Sequence, residues 1–186
     1  RAVLLGGSAD NYIQLREAGL LEAYQSPELT DVPEAYQDEQ GVWNPIYIGT
    51  LCFACNTDWF ARTGTPMPTC WDDLLSPALA GQIVMATPKS SGTSYTTLAT
   101  LVQMRGEDKA WEYFKKLDQN VGAYYTASST ELVKQVSTGD YAVAIVFYHD
   151  GRRAELDGDP IELCTPTDGT GYEIGVCALI RNAPAG

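Results

Sequence analysis

The stretch GQIVMATPKSSGT, residues 81–93, has the form of a buried strand, a polar loop and the start of a helix. Its apolar run IVMA is typical of a strand that is covered on both faces. The loop that follows carries Ser90, Ser91 and Gly92, and the sequence after it predicts a helix over residues 93–105. Strand, loop and helix in this order form the repeating unit of α/β proteins.

The same unit recurs elsewhere in the chain. Residues 4–8 predict a strand before a helix over residues 10–18, and residues 122–125 predict a strand before a helix that begins near Ser128. Residues 141–147 and 172–180 are further apolar, strand-like runs. This alternation predicts an α/β fold, with a mixed sheet flanked by helices.

Helical spacing also predicts which side chains three of the helices bury. The predicted buried sets, taken in chain order, are Leu98, Leu101 and Val102; Ala110, Trp111, Phe114 and Leu117; and Leu132, Val133 and Val136.

Charge excludes several kinds of partner. The 186 residues carry a net charge of −12, and the 12 lysines and arginines are scattered instead of forming a basic stripe. We therefore expect no binding to nucleic acid.

The chain opens at Arg1, directly before a strand-like run, so we expect a further part of a larger protein to precede it.

Small polar residues collect at three predicted helix starts, each of which follows a strand. Helix N-termini present free N–H groups and a positive dipole end, so such starts can bind an anion. Capping of each helix would account for the same residues, and Lys89 lacks the spacing of a nucleotide-binding P-loop. The predicted ligand-binding residues at the three starts are Ser8, Ser90, Ser91, Gly92, Thr93, Ser128 and Ser129.

Tyr148, His149 and Asp150 directly follow the strand-like run 141–147. Open α/β sheets present ligand groups at the carboxyl ends of their strands, so we expect Tyr148 to contact a ligand. The chain has a single histidine, and no nucleophile stands beside it in sequence. We therefore expect neither a catalytic triad nor a site with two histidine metal ligands.

Cys52 and Cys55 have the C-x-x-C spacing of thiol oxidoreductases, but they fall inside a predicted strand over residues 46–56. Positions i and i+3 of a strand point to opposite faces, which disfavours a shared redox or zinc site. The chain has five cysteines, so they cannot all pair within it.

The order of these motifs resembles the family of periplasmic solute-binding proteins that serve ABC importers, including the ferric-ion and phosphonate receptors. The segments that carry the resemblance are residues 6–10, 20–24, 71–75, 81–86, 90–93, 137–143 and 169–173. The resemblance implies a type II periplasmic-binding-protein-like fold, present here as one nearly complete lobe and part of the other. Residues 1–45 would be a remnant of the first lobe, 46–56 a crossing strand, 57–171 the second lobe and 172–186 the return strand.

The resemblance also implies a function outside the cytoplasm, in the periplasm. The protein would bind a small anion, or a ferric ion together with an anion, between its lobes and deliver it to the membrane subunits of an ABC importer. Tyr148 and His149 occupy the position of a tyrosine pair in the ferric members, of which only the first tyrosine is kept. No resident cofactor is expected, because iron would be a transported ligand.

Two other functions fit the residues. The chain could be an α/β thiol enzyme or transferase that uses Cys52 or Cys55 as its nucleophile, or a sensor that kept the fold and lost transport. Whatever its function, the chain as given would lack part of the first lobe. We therefore expect it to expose apolar surface and to self-associate.

Overall fold

The computed structural model describes residues 2–125 and 128–183, and for Tyr125 it describes the backbone alone. The strands are β1 (Val3–Ser8), β2 (Leu21–Glu22), β3 (Trp43–Asn56), β4 (Ile83–Ala86), β5 (Val121–Tyr125), β6 (Val143–Phe147), β7 (Ile161–Cys164) and β8 (Tyr172–Ile180). The α-helices are α1 (Ala9–Glu17), α2 (Thr57–Thr63), α3 (Gly92–Arg105), α4 (Glu107–Leu117), α5 (Ser129–Ser137) and α6 (Tyr148–Asp157). Short 3₁₀ turns lie at Pro27–Asp31, Glu34–Tyr36, Trp71–Leu75 and Pro77–Leu79.

The chain forms two compact units. Unit 1 comprises the described residues up to Gly49 and those from Glu173 onward, and unit 2 comprises Thr50–Tyr172. Strands β3 and β8 therefore each contain residues of both units. The identification of these strands as lobe crossings, with boundaries at residues 46–56 and 172–186, stays a prediction.

Unit 1 is built on β8, with which β1 and β2 both pair in antiparallel orientation. A small apolar cluster that includes Tyr12, Trp43 and Val176 holds α1 against these strands. The Tyr12 hydroxyl donates a hydrogen bond of 2.7 Å to the carbonyl of Gly6. Many other apolar side chains of the unit are exposed: Val3, Leu5, Leu20, Tyr24, Ile46, Tyr47 and Ile48.

The core of unit 2 is a mixed sheet, as the sequence predicts. Strands β6, β4 and β5 lie side by side and run parallel, while β3 pairs with β6 and with β7 in antiparallel orientation. The residues of β4 and β6 are buried throughout, as expected of strands that are covered on both faces. The carboxyl ends of three parallel strands therefore meet at one edge of the sheet.

Two apolar clusters cover the two faces of this sheet. One contains Phe53, whose ring meets Trp71 edge to face at 5.1 Å between centroids. The other contains Leu132, Val133 and Val136, so the predicted inner face of α5 is confirmed. Cys55 belongs to the first cluster and Cys52 to the second, because strand residues three positions apart point to opposite faces.

The predicted inner faces of α3 and α4 are partly wrong. Hydroxyl side chains make up most of the buried face of α3: Thr93, Ser94, Thr97, Thr100 and Leu101. The Thr97 and Thr100 hydroxyls donate to the backbone carbonyls of residues 93 and 96, which satisfies them inside the helix and lets them face a packed interface.

On α4, Trp111 is 47% exposed and Tyr113 is buried instead. The Tyr113 hydroxyl donates a 2.6 Å hydrogen bond to the carbonyl of Trp71, so this amphipathic ring lies inside with its polar atom satisfied. Within the described ranges, no helix is both long and apolar enough to span a membrane.

Candidate anion-binding site

Three helices of unit 2 begin at the edge where the parallel strands end. Helix α3 follows β4 and α5 follows β5, each after a few residues. Helix α6 follows β6 directly, with no residue between them. Each strand delivers its helix start to the same side of the sheet because the strands are parallel. This is the location at which open α/β sheets hold ligands.

A buried hydrogen bond joins two of these helix starts. The hydroxyls of Thr93 on α3 and Ser129 on α5 lie 2.9 Å apart, and these residues are only 7% and 9% exposed. Asp150, at the start of α6, is partly buried and lies close enough to Ser129 for that hydroxyl to act on the pKa of the carboxyl in the lowering direction.

Burial outweighs this effect and leaves the pKa of Asp150 raised above its usual value. The neighbouring His149, whose Nε2 lies 3.7 Å from a carboxylate oxygen of Asp150, acts in the lowering direction. A partly buried acceptor thus stands in the first turn of α6, where the helix dipole favours negative charge.

The N-termini of these helices differ in how they are capped. At α3, the hydroxyl of Ser91 accepts a 3.4 Å hydrogen bond from the backbone N–H of Ser94, so this predicted site residue also acts as a cap. Ser128 precedes α5 and Phe147 precedes α6, and within the described part of the chain neither caps its helix through its side chain. First-turn N–H groups of α5 and α6 therefore lack this partner and can face a ligand.

The remaining predicted residues of unit 2 lie around these helix starts. Ser90, Gly92 and Ser128 are exposed, and Gly92 is the first residue of α3. Thr126 and Ala127, which belong to the same predicted helix start as Ser128, lie outside the described residues.

Tyr148 is the first residue of α6 and is 42% exposed, so its ring is not part of the core. His149 stacks on the ring of Phe147 with 5.7 Å between centroids. His149 and Asp150 also line a groove of about 390 Å³ between α5 and α6, together with Lys134 and Arg153. Among the described residues, no group of three or more His, Cys, Asp and Glu side chains could hold a metal ion.

Ser8 lies apart from this set in the chain, because it belongs to unit 1. Its hydroxyl accepts a 3.4 Å hydrogen bond from the N–H of Asp10 and caps α1, which begins at Ala9. Gly6 and Gly7 before it have φ values of +84° and +89°, a conformation in which glycine is strongly favoured.

The two thiols of the C-x-x-C motif do not form a reactive site. Cys52 and Cys55 are fully buried on opposite faces of β3. Burial raises the pKa of Cys52 to about 12. The pKa of Cys55 is raised too, mainly by its interaction with Cys164 and secondly by burial. Catalytic thiols need accessible sulfur and a depressed pKa, so the thiol-enzyme alternative has no support here.

Comparison with known proteins agrees with this architecture. The sequence matches the bacterial extracellular solute-binding protein family over residues 7–183. The chain belongs to this family. Its fold is accordingly that of the periplasmic binding proteins, and the predicted family and fold class are confirmed.

Three similar proteins illustrate the relationship. An uncharacterized protein of Haemophilus influenzae is 37% identical, over 97% of this chain and 54% of its own length. The periplasmic binding protein AfuA from Actinobacillus pleuropneumoniae, with fructose-6-phosphate bound, is 38% identical with a TM-score of 0.89, over 98% of this chain and 58% of AfuA. Apo ferric ion-binding protein A of Pasteurella haemolytica shares the fold alone. It is 18% identical with a TM-score of 0.80, over 98% of this chain and 60% of its own length. The chain thus spans little more than half the length of the solute-binding proteins that it matches.

We predict that Asp150→Asn changes how the stability of the protein depends on pH. The raised pKa of Asp150 means that the folded state binds this proton more tightly than the unfolded state. Ionisation therefore costs the wild type stability as the pH rises through the raised pKa, whereas asparagine does not ionise and its side-chain oxygen can still accept from Ser129.

Thermal unfolding measured from acid to neutral pH tests this. The melting temperature of the variant minus that of the wild type should grow with rising pH and then level off. A difference that is constant, or that shrinks as the pH rises, would contradict the burial of this carboxyl.

Proposed function

We propose that this chain is part of the extracytoplasmic solute-binding component of an ABC importer and that it binds a small anion at the helix starts of unit 2. The single observation that carries the proposal is the buried hydrogen bond between Thr93 and Ser129, which joins the starts of α3 and α5 at one sheet edge, with Asp150 of α6 close to Ser129. Backbone N–H groups and positive dipole ends at such an edge favour a phosphate or carboxylate group.

The most specific candidate is a sugar phosphate. Its phosphate suits the helix N-termini, and its hydroxyls can donate to Asp150, whose carboxylate accepts hydrogen bonds beside those N-termini. Similarity at 38% identity to AfuA, which is described with fructose-6-phosphate bound, supports the same class of ligand. The predicted contacts from Ser8, Ser90, Ser91, Gly92, Thr93, Ser128, Ser129 and Tyr148, and a cleft between two lobes, are part of this proposal.

Ferric ion is the second candidate, and one residue favours it. Tyr148 is an exposed phenol at the first turn of α6, and phenolate oxygen is a hard donor suited to Fe³⁺. Its neighbour in sequence is His149, where the ferric pattern has a second tyrosine. The proposal therefore puts the anion first and keeps Tyr148 and His149 as metal ligands only for the ferric case.

We propose binding without turnover. The matched family consists of solute-binding proteins, and AfuA is named a binding protein. The thiols of Cys52 and Cys55 are buried, which keeps both thiols of the C-x-x-C motif from contact with a solute.

The membrane subunits of an ABC importer would be the protein partners, at an extracytoplasmic and specifically periplasmic location.

We also propose that the chain as given self-associates through unit 1, where Leu5, Ile46 and Ile48 are exposed. Exposed apolar side chains near one another favour association. Light scattering should show an apparent mass that rises with concentration, and a constant monomer mass would oppose self-association.

We predict that Ser129→Ala weakens binding of fructose 6-phosphate by the full-length protein about five- to tenfold, as expected for a lost hydrogen bond worth about 1–1.5 kcal/mol. The substitution removes the hydrogen bond between Ser129 and Thr93, so the starts of α3 and α5 are no longer held together. Titration calorimetry measures the change, with the parent protein's heat of binding as the reference.

Ser137→Ala is the matched control. Ser137 is the last residue of the same helix, and its hydroxyl donates to Asp159 instead of to the helix starts. Affinity should stay within a factor of two or so of the parent in this variant. Equal losses in both variants would mean that Ser129 acts through the general stability of α5, and the site would then lie elsewhere.

We predict that Tyr148→Phe decides between the two ligands. If the solute is a sugar phosphate, the parent complex is colourless and the variant loses several-fold affinity, since one hydrogen bond to the ligand is removed. Tyr24→Phe is the control, because Tyr24 is an exposed tyrosine of unit 1 that is not among the proposed contacts. A visible charge-transfer band that ferric citrate produces in the parent and not in Tyr148→Phe would favour the ferric candidate, and unchanged affinity would reduce Tyr148 to a surface residue.

A further inference from the structure

Cys55 and Cys164 lie on neighbouring strands, β3 and β7. In the antiparallel register Cys55 is opposite Glu162 and Phe53 is opposite Cys164. Residues two apart on a strand share a face, so the side chains of Cys55 and Cys164 point to the same face of the sheet as diagonal neighbours. Both belong to the apolar cluster around Phe53, where Cys55 is buried and Cys164 is partly buried.

The two thiols are close enough to affect each other. Interaction with Cys164, and then burial, raises the pKa of Cys55, while interaction with Cys55 lowers the pKa of Cys164. The Cys55 thiol also donates a 3.8 Å hydrogen bond to the carbonyl of Phe53. Cys164 is therefore the better nucleophile and is also the more accessible of the two sulfurs, while Cys55 lies beneath it.

We propose that Cys55 and Cys164 form a disulfide that fastens β7 to β3 in the mature protein. Diagonal neighbours in an antiparallel pair have Cα atoms about 7–8 Å apart, and a disulfide needs them within about 7 Å. Hydrogen bonding fixes the spacing between the strands, so β7 must shift along β3 by roughly 1 Å. Strand β7 is four residues long and lies outside the main strand order of the sheet, so it can make this shift.

The reaction is thiol–disulfide exchange with an oxidised disulfide, R–S–S–R. The Cys164 thiolate attacks one sulfur of R–S–S–R, which forms a mixed disulfide and releases R–S⁻. Cys55 then loses its proton, and its sulfur attacks Cys164 and displaces the second R–S⁻. One disulfide has formed and one has been reduced, both electrons reside on the released thiols, and the two protons end on them.

The other cysteines do not compete for this partner. Cys52 lies in the cluster on the opposite face of β3, and Cys177 lies on β8 in unit 1. Cys70 precedes the 3₁₀ turn that begins at Trp71. Formation of the bond in the cell rests on the extracytoplasmic location proposed above, because the periplasm is oxidising, whereas the geometry can be tested without any assumption about location.

The test uses the reduced full-length protein, equilibrated with oxidised glutathione, unfolded in acid and alkylated before peptide mapping. We expect one peptide that links Cys55 to Cys164, while Cys52, Cys70 and Cys177 of this chain are alkylated. Reduction of the linked protein should lower the melting temperature by roughly 5–15 °C, the shift expected for opening a loop of about 100 residues.

Two variants separate this bond from general oxidation. Cys177→Ala should keep the linked peptide and the shift in melting temperature, and Cys164→Ala should lose both. Alkylation of both Cys55 and Cys164 after oxidation, or a link from either of them to another cysteine, would overturn the proposal. Peptide mapping needs no ligand, so this result is independent of whether fructose 6-phosphate binds.

Discussion

The buried hydrogen bond between Thr93 and Ser129 connects the starts of α3 and α5, and Asp150 of α6 lies close to Ser129. Apolar packing does not by itself fix the direction of polar groups, whereas this bond does. The site therefore depends on a geometry that the core imposes and that this bond makes specific.

The parallel sheet of unit 2 brings Thr93 and Ser129 together and makes this bond possible. Strands β6, β4 and β5 are parallel, so their loops emerge on one side and three helix N-termini point to one region. The same arrangement would stabilise a negatively charged ligand at these helix starts, because each helix contributes a partial positive charge at its N-terminus. Backbone N–H groups and hydroxyls at these helix starts can therefore bind the anionic group of a solute although the protein has a net charge of −12, while the Asp150 carboxylate accepts from the solute's hydroxyls.

Much of this fold follows from local sequence. The run at residues 81–86 and the polar loop after it predict β4 and the start of α3, and the spacing of Leu132, Val133 and Val136 predicts the inner face of α5. Periodicity places Trp111 inside α4 because it treats all large apolar residues alike. The structure buries Tyr113 instead, because Trp71 offers its hydroxyl an acceptor, and that acceptor lies 42 residues away in the chain.

The site itself was only partly predictable. Small polar residues at strand ends marked the helix starts, but either capping or ligand binding could explain them, and Ser91 does cap α3. Neither the bond between Thr93 and Ser129 nor the contact between Cys55 and Cys164 has a sequence signal, because each joins segments that meet only after folding. A crystal structure of the full-length protein with fructose 6-phosphate tests the central claim most directly. The account predicts phosphate oxygens within hydrogen-bonding distance of backbone N–H groups in the first turns of α3 and α5, and a phosphate bound away from both helices would contradict it.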